Sequence, residues 1–259
     1  MKKTIAFAVS VILCFVCLAV AVEAVQAQNW YCPRNKDNKQ PIFGSDLSYV
    51  SDFGGYYIDL AHGDESDNKV VYLTFDAGYE NGNVERILDV MKEKNVTGAF
   101  FILENLVVKA PDLVSRMADE GHLVCNHTAD HVDVTGLDDI DQFRTELESL
   151  ENVYRDATGR ELAKYFRPPE GRFDRRTLEW ASQIGYKTVF WSFAYADWDN
   201  GKQMSAAAAK KKILDNVHNG AVILLHPTSK TNADILGDVI DELKAQGYRF
   251  GTLDMLTEN

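Results

Sequence analysis

Asp76, the pair His127 and His131, Arg167, Asp197 and His226 are polar side chains that stand where apolar, β-like runs end. Their types suit acid–base chemistry on water and a carbonyl group. The run 70–75 leads straight into Asp76 and, two residues on, Gly78, so a carboxylate sits beside a turn where it can take a proton from water; Asp-x-Gly is also ordinary turn chemistry. His127-Thr-Ala-Asp-His131 places two imidazoles four residues apart. On a helical turn both would face one way and could share a divalent cation, with Asn126 and Thr128 holding their second nitrogens or the adjoining loop. Two ordinary structural histidines are the plain alternative.

Arg167-Pro-Pro-Glu170-Gly171 follows Tyr165-Phe166, and its two prolines stiffen a loop leaving the strand in extended conformation. The guanidinium fork suits a carboxylate, with Asp76 the natural candidate; a rigid turn with a solvated arginine is the bland alternative. His226 emerges from the apolar run 222–225, where burial must be compensated by a partner, and Asp197 is the candidate. Trp198 is a candidate wall for a substrate pocket. His62, His122 and His218 lack comparable context and read as structural.

The elements that must position these residues follow a regular pattern from Lys69 onward. Apolar strands are expected at about 70–75, 97–102, 122–126, 164–166, 187–193, 221–225 and 249–253. Helices are expected at about 83–94, 111–120, 138–157, 174–184, 204–218 and 232–246, with apolar positions such as Phe143, Leu147, Leu150 and Tyr154 three and four apart. Pro111 suits a first helical turn, Asp174 an N-cap, and Gly185 and Gly247 the left-handed position after a helix. Seven strands alternating with helices make either a doubly wound open sheet or a closed parallel barrel. An open sheet gathers ligands at one crevice, whereas chemistry here sits at several strand ends, which favours an α/β barrel.

The 259 residues, 46% of them hydrophobic, suffice for a large core. Met-Lys-Lys, the apolar run 4–22 and small residues at Ala24 and Ala27 have the regions of a secretory signal, read as residues 1–27. A run of 19 residues also nearly suffices to span a bilayer, so an uncleaved anchor is the competing reading; either puts the remainder outside the cytoplasm. Residues 28–67, polar and Gly-rich, read as an N-terminal extension whose aromatic residues pack on a neighbouring surface, and residues 68–259 as the catalytic domain. The net charge of −12 argues against nucleic acid and anionic membranes as partners. Cys32 and Cys125 are the two cysteines beyond residue 27. The buried-looking strand around Cys125 favours a core thiol over a disulfide, although an exported compartment would permit one.

Thr-Phe-Asp76, His127-Thr-x-x-His131, Arg167-Pro-Pro-x-Gly171, Asp197-Trp198 and Leu224-x-His226, in that order, resemble the five motifs of the polysaccharide deacetylases, carbohydrate esterase family 4, with the NodB-type domain. The resemblance covers about residues 68–255. It implies a distorted parallel (β/α)7 barrel and metal-dependent removal of acetyl groups from glycans. The stretches Thr-Phe-Asp-x-Gly-Tyr-Glu-Asn and Phe-Trp-Ser-x-Ala-x-x-Asp-Trp look most like bacterial muramic acid deacetylases that prepare muramic δ-lactam in spore cortex peptidoglycan.

Carried over by position, the resemblance makes Asp76 the base for water, Arg167 its orienting partner, His127 and His131 metal ligands, and His226 the acid set by Asp197. Leu224 and Trp198 would shape the acetyl-methyl pocket, and the backbone N–H near Glu170 would hold the oxyanion. The implied cofactor is a divalent metal, zinc in the first instance. Two positions depart from the pattern: Ala77 replaces a carboxylate metal ligand, which should weaken or alter the metal site, and Glu170 replaces a tyrosine. The expected partner is the peptidoglycan glycan strand, with no protein partner inferred. Expected location is extracellular or cell-wall associated. Rival readings are a deacetylase of N-acetylglucosamine polymers or acetylated xylan, and a glycan-binding protein with impaired catalysis.

Overall fold

The computed structural model describes residues 26–33, 35 and 37–258, so the proposed signal or anchor, apart from its last two residues, lies outside the described residues. The chain runs β1 (Gln28–Asn29), β2 (Gly55–Tyr56), β3 (Val70–Ala77), α1 (Asn83–Glu93), β4 (Ala99–Ile102), α2 (Glu104–Lys109), α3 (Pro111–Asp119), β5 (Leu123–Asn126), α4 (Ile140–Thr158) and β6 (Ala163–Phe166). It continues through β7 (Arg172–Phe173), α5 (Arg175–Gln183), β8 (Lys187–Val189), α6 (Ala206–Asn216), β9 (Ala221–Leu225), α7 (Lys230–Ala245), β10 (Arg249–Phe250) and α8 (Leu253–Thr257). No described helix is long and apolar enough to cross a membrane.

The seven expected strands are β3, β4, β5, β6, β8, β9 and β10, and they form the distorted parallel (β/α)7 barrel. The order β10-β3-β4-β5-β6-β8-β2 is parallel throughout, and β9 lies against β3 over Val71–Phe75. A parallel bridge between Phe193 and Ile223 links the chain after β8 to β9 and closes the ring.

Alternation along each strand divides the core in two. Val70 and Tyr72 point inward with Ala99, Phe101, Cys125, Tyr165, Val189 and Val222, filling the barrel. Val71, Leu73, Phe75 and Ala77 belong to the cluster on the helix side, which receives Ile87, Leu88 and Met91 of α1 and Leu236, Val239 and Ile240 of α7. Thr74 and Asp76 share the inward parity and continue it to the barrel mouth.

Helix ends follow the sequence signals. Asp174 accepts from Thr177 N in a capping box, Asp139 and Ser229 cap α4 and α7, and Gly185 and Gly247 both adopt φ +86°. Three expectations are corrected. The last strand ends at Phe250, because Leu253 already opens α8, and α2 is a helix that its six residues were too few to announce. Residues 127–131 form a loop, not a helical turn, with Thr128 at φ +72° and His131 at φ +58°. Cys32 and Cys125 are free thiols, and burial pushes the Cys32 thiol up to about 12.

Residues before β3 contribute more than surface packing. β2 extends the sheet beside β8, while β1 pairs antiparallel with β7. Trp30 N donates to Gly171 O at 2.8 Å, its indole N–H donates to Trp191 O at 2.8 Å, and its ring stacks on Phe190 with centroids 4.2 Å apart. Gly171 at φ +65° allows this approach, since a Cβ there would lie 2.7 Å from Trp191 and 2.9 Å from Trp30. The strap thus holds the Arg167–Gly171 loop from outside. Trp30→Ala should lower unfolding free energy by about 3 kcal/mol, read as an earlier guanidinium midpoint at unchanged m-value.

Candidate active site

Asp76, His127, Arg167 and His226 each stand at or just beyond the C-terminal end of a parallel strand, and Asp197 lies in the loop after β8. Arg167 is fully buried among β3, β6 and β8. Its Nη1 donates to Asp76 Oδ1 at 2.7 Å, Nη2 to Thr74 Oγ1 at 2.9 Å and Phe190 O at 3.3 Å, and Nε to Val189 O at 2.9 Å. The guanidinium lies 4.1 Å over the Phe101 ring. The fork therefore grips Asp76 as its residue type suggested. Burial alone would raise the Asp76 carboxyl, but the Arg167 charge, helped by His127 and His226, outweighs it and holds the group below the usual carboxylate range.

His127 Nδ1–H donates to the Arg167 carbonyl at 2.8 Å, so its Nε2 is left unprotonated 3.6 Å from Asp76 Oδ2. Of the two roles expected for Asn126 and Thr128, holding the second ring nitrogen or the adjoining loop, the structure shows the second. Asn126 braces the loop, accepting from Thr128 N at 2.9 Å and donating to Leu147 O at 3.0 Å. Burial lowers the His127 pKa to about 4, and the imidazole is neutral at neutral pH. The positive φ values at Thr128 and His131 fold the loop back, bringing the two rings to 5.2 Å between centroids without a helix.

Across the mouth, Asp197 Oδ1 accepts from His226 Nδ1 at 2.7 Å and Oδ2 accepts from His226 N at 2.9 Å. Burial by itself would depress the His226 pKa, yet the hydrogen bond and charge of Asp197, with the charge of Asp76, outweigh it and raise the pKa above its ordinary value. Both pairs face a cavity of about 660 Å³, whose walls include Trp30, Glu170, Trp191, Trp198 and Leu224. A smaller hollow of about 220 Å³ on the other side of the same histidines is bounded by Tyr79, Leu103 and Thr228. Trp198 lines both and is 60% exposed, so it stands as an open platform beside His226. Glu170 takes φ +57° at the bend between the prolines and Gly171.

All nine candidate residues gather here. Sequence reasoning missed Thr74, Trp30, Trp191, Tyr195 and Asn232; inward parity with Asp76 would have found Thr74, whereas the others act across long sequence separations.

The metal expectation meets a different donor set. A catalytic zinc takes three protein ligands, and among the described residues no group of three His, Cys, Asp or Glu side chains is placed to hold one ion. His127 and His131 offer two imidazoles, while Ala77 packs in the helix-side cluster and offers no donor. These two imidazoles do not form a resident zinc's ligand set.

The sequence pattern of the polysaccharide deacetylases matches residues 63–189. The peptidoglycan-N-acetylmuramic acid deacetylase PdaA of Bacillus subtilis (strain 168) is 38% identical over 256 residues, spanning 94% of this chain and 95% of that protein. The solved structure of Bacillus subtilis PdaA, a family 4 carbohydrate esterase, superposes with a TM-score of 0.83 at 37% identity, covering 89% of this chain and 97% of that one. A family 4 carbohydrate esterase from Bacillus anthracis gives a TM-score of 0.72 at 37% identity, covering 90% and 97%.

Arg167→Met should remove the charge that holds Asp76 ionised. The expected outcome is a loss of about 3–5 kcal/mol of stability at neutral pH, because a buried carboxylate is left unpaired. Denaturant unfolding measures the loss, and the deficit should shrink as the pH falls and Asp76 protonates.

Proposed function

Because this chain belongs to the polysaccharide deacetylase family and is therefore a hydrolase of acetyl-amide bonds, we propose that it removes the N-acetyl group from N-acetylmuramic acid residues of peptidoglycan. The observation that carries the chemistry is the pairing of opposites across one cavity: an Arg167-held carboxylate faces an Asp197-held imidazole. The muramyl substrate is supported by the full-length similarity to a deacetylase of that name.

In this reading Asp76 takes a proton from water as the water oxygen bonds to the acetamide carbonyl carbon. The unprotonated Nε2 of His127 accepts the water's other hydrogen bond and aims its lone pair. The developing oxyanion is held by the backbone N–H near Glu170. His226 then gives its Nε2 proton to the sugar nitrogen as the C–N bond breaks, yielding acetic acid and an amine, which part as acetate and ammonium once the acid's proton passes to the amine. A proton passing from Asp76 to His226 through solvent restores both groups. Leu224 and Trp198 shape the space for the acetyl methyl.

The family is generally metal-dependent. Among the described residues zinc would have only the His127 and His131 imidazoles as evident ligands. Export by the N-terminal segment, action at the cell wall and a place on the route to muramic δ-lactam in spore cortex extend the same reading. They are supported by the signal-like residues 1–27 and by the motif resemblance.

The test uses purified protein with peptidoglycan stripped of its stem peptides, N-acetylglucosamine oligomers and acetylated xylan. Acetate and a product lacking one acetyl group are expected from the first substrate. Release confined to the other two would sink the muramyl assignment, and binding without release would favour a glycan-binding role.

The pH dependence follows from His226. As general acid it works protonated, and its pKa lies above the ordinary value, so activity is full below that pKa and is lost as pH rises through it. The alkaline limb of kcat/KM should therefore lie above about 6.5. His226→Ala should lower kcat by about 10²–10⁴-fold, and a variant that kept full activity would remove His226 from this role.

A further inference from the structure

Asn232 lies in the first turn of α7, only 1% exposed, and every hydrogen-bonding group of its side chain is used. Nδ2 donates to Asp197 Oδ2 at 2.6 Å and to the His226 carbonyl at 3.0 Å, while Oδ1 accepts from the Tyr195 hydroxyl. None of these partners belongs to α7, whose N-cap is already filled by Ser229. Capping the helix therefore does not explain why an amide stands here.

Its partners fix which way the amide faces. A flipped amide would set its oxygen against the Asp197 carboxylate and the His226 carbonyl, which only accept, so Asn232 presents N–H to both while the Tyr195 hydroxyl donates to Oδ1. Asp197 then receives three N–H donors, two from His226 and one from Asn232. Tyr195 itself lines the 660 Å³ cavity, so the set runs from the substrate pocket wall to the back of the Asp197–His226 pair.

We propose that Asn232, locked by Tyr195, is a positioning residue that keeps the Asp197 carboxylate aimed at His226 Nδ1 and so presents His226 Nε2–H to the cavity. The two donors from His226 engage one oxygen each and come from a single residue. The third, coming from a different element, fixes its plane. The remaining charged groups that act on His226 are Asp76 and Arg167, and neither contacts Asn232. The proposal rests on the reading of His226 as proton donor, and its test is chosen so that the two can fail separately.

Asn232→Ala and Tyr195→Phe are made in the full chain, and the His226 imidazole is titrated by NMR alongside kcat and KM. In Asn232→Ala the His226 titration should move down by about one unit, with kcat about tenfold lower and KM within about twofold. Tyr195→Phe, which deletes one oxygen, should move the titration in the same direction by less. If Asn232→Ala does not fold, Tyr195→Phe decides alone. A His226 titration that stays within about 0.2 unit of the parent, or moves upward, overturns the proposal. The titration needs no turnover, so a fully active His226→Ala enzyme would defeat the proton-donor reading while the NMR result still judged the positioning.

Discussion

The buried guanidinium of Arg167 is the joint on which the barrel mouth depends. A charge removed from water costs several kcal/mol unless its donors are met, and here they reach Asp76, Thr74 and the carbonyls of Val189 and Phe190. Its own backbone does as much: the amide donates to Asn126 O at 3.0 Å and the carbonyl receives His127. One residue therefore ties β3, β5, β6 and the chain after β8 together. The strap around Trp30 bonds to Gly171 and Trp191 and packs on Phe190, so the loop after Arg167 is also held from outside the barrel.

From that joint the site divides into two environments with opposite effects on protons. On one side Arg167 keeps a carboxylate ionised and burial keeps His127 neutral; on the other Asp197 makes His226 more basic. Pushing titratable groups apart in this way lets one cavity hold a base and an acid at the same pH. The two sets share no direct hydrogen bond, and they meet through the cavity, where the scissile amide would lie.

The strand ends were legible in the sequence because strands and helices alternate with clear periodicity, and a charged residue after an apolar run has few other reasons to be there. A barrel was legible because five such positions follow different strands, and its distortion was implied by the family resemblance. What stayed hidden has physical causes. His127 and His131 meet through left-handed residues in a loop, so their spacing of four suggested a helix that is absent. β1, β2 and β7 have two residues each and no period to read. Tyr195 and Asn232 are 37 positions apart, and nothing local in either segment announces the other.

Strand parity explains what Ala77 means for charge. Along β3 the side chains of Thr74 and Asp76 face the barrel axis and those of Phe75 and Ala77 face the helices, so Ala77 lies among Val84, Ile87 and Leu88 and not in the cavity. At the mouth the negative charge of β3 is that of Asp76, and Arg167 meets it at 2.7 Å. A dication drawn to His127 and His131 would find two imidazoles and a carboxylate committed elsewhere; to gain Asp76 it would have to compete with a guanidinium held by three further acceptors. The same contact that makes Asp76 a stable base therefore makes it a poor third ligand.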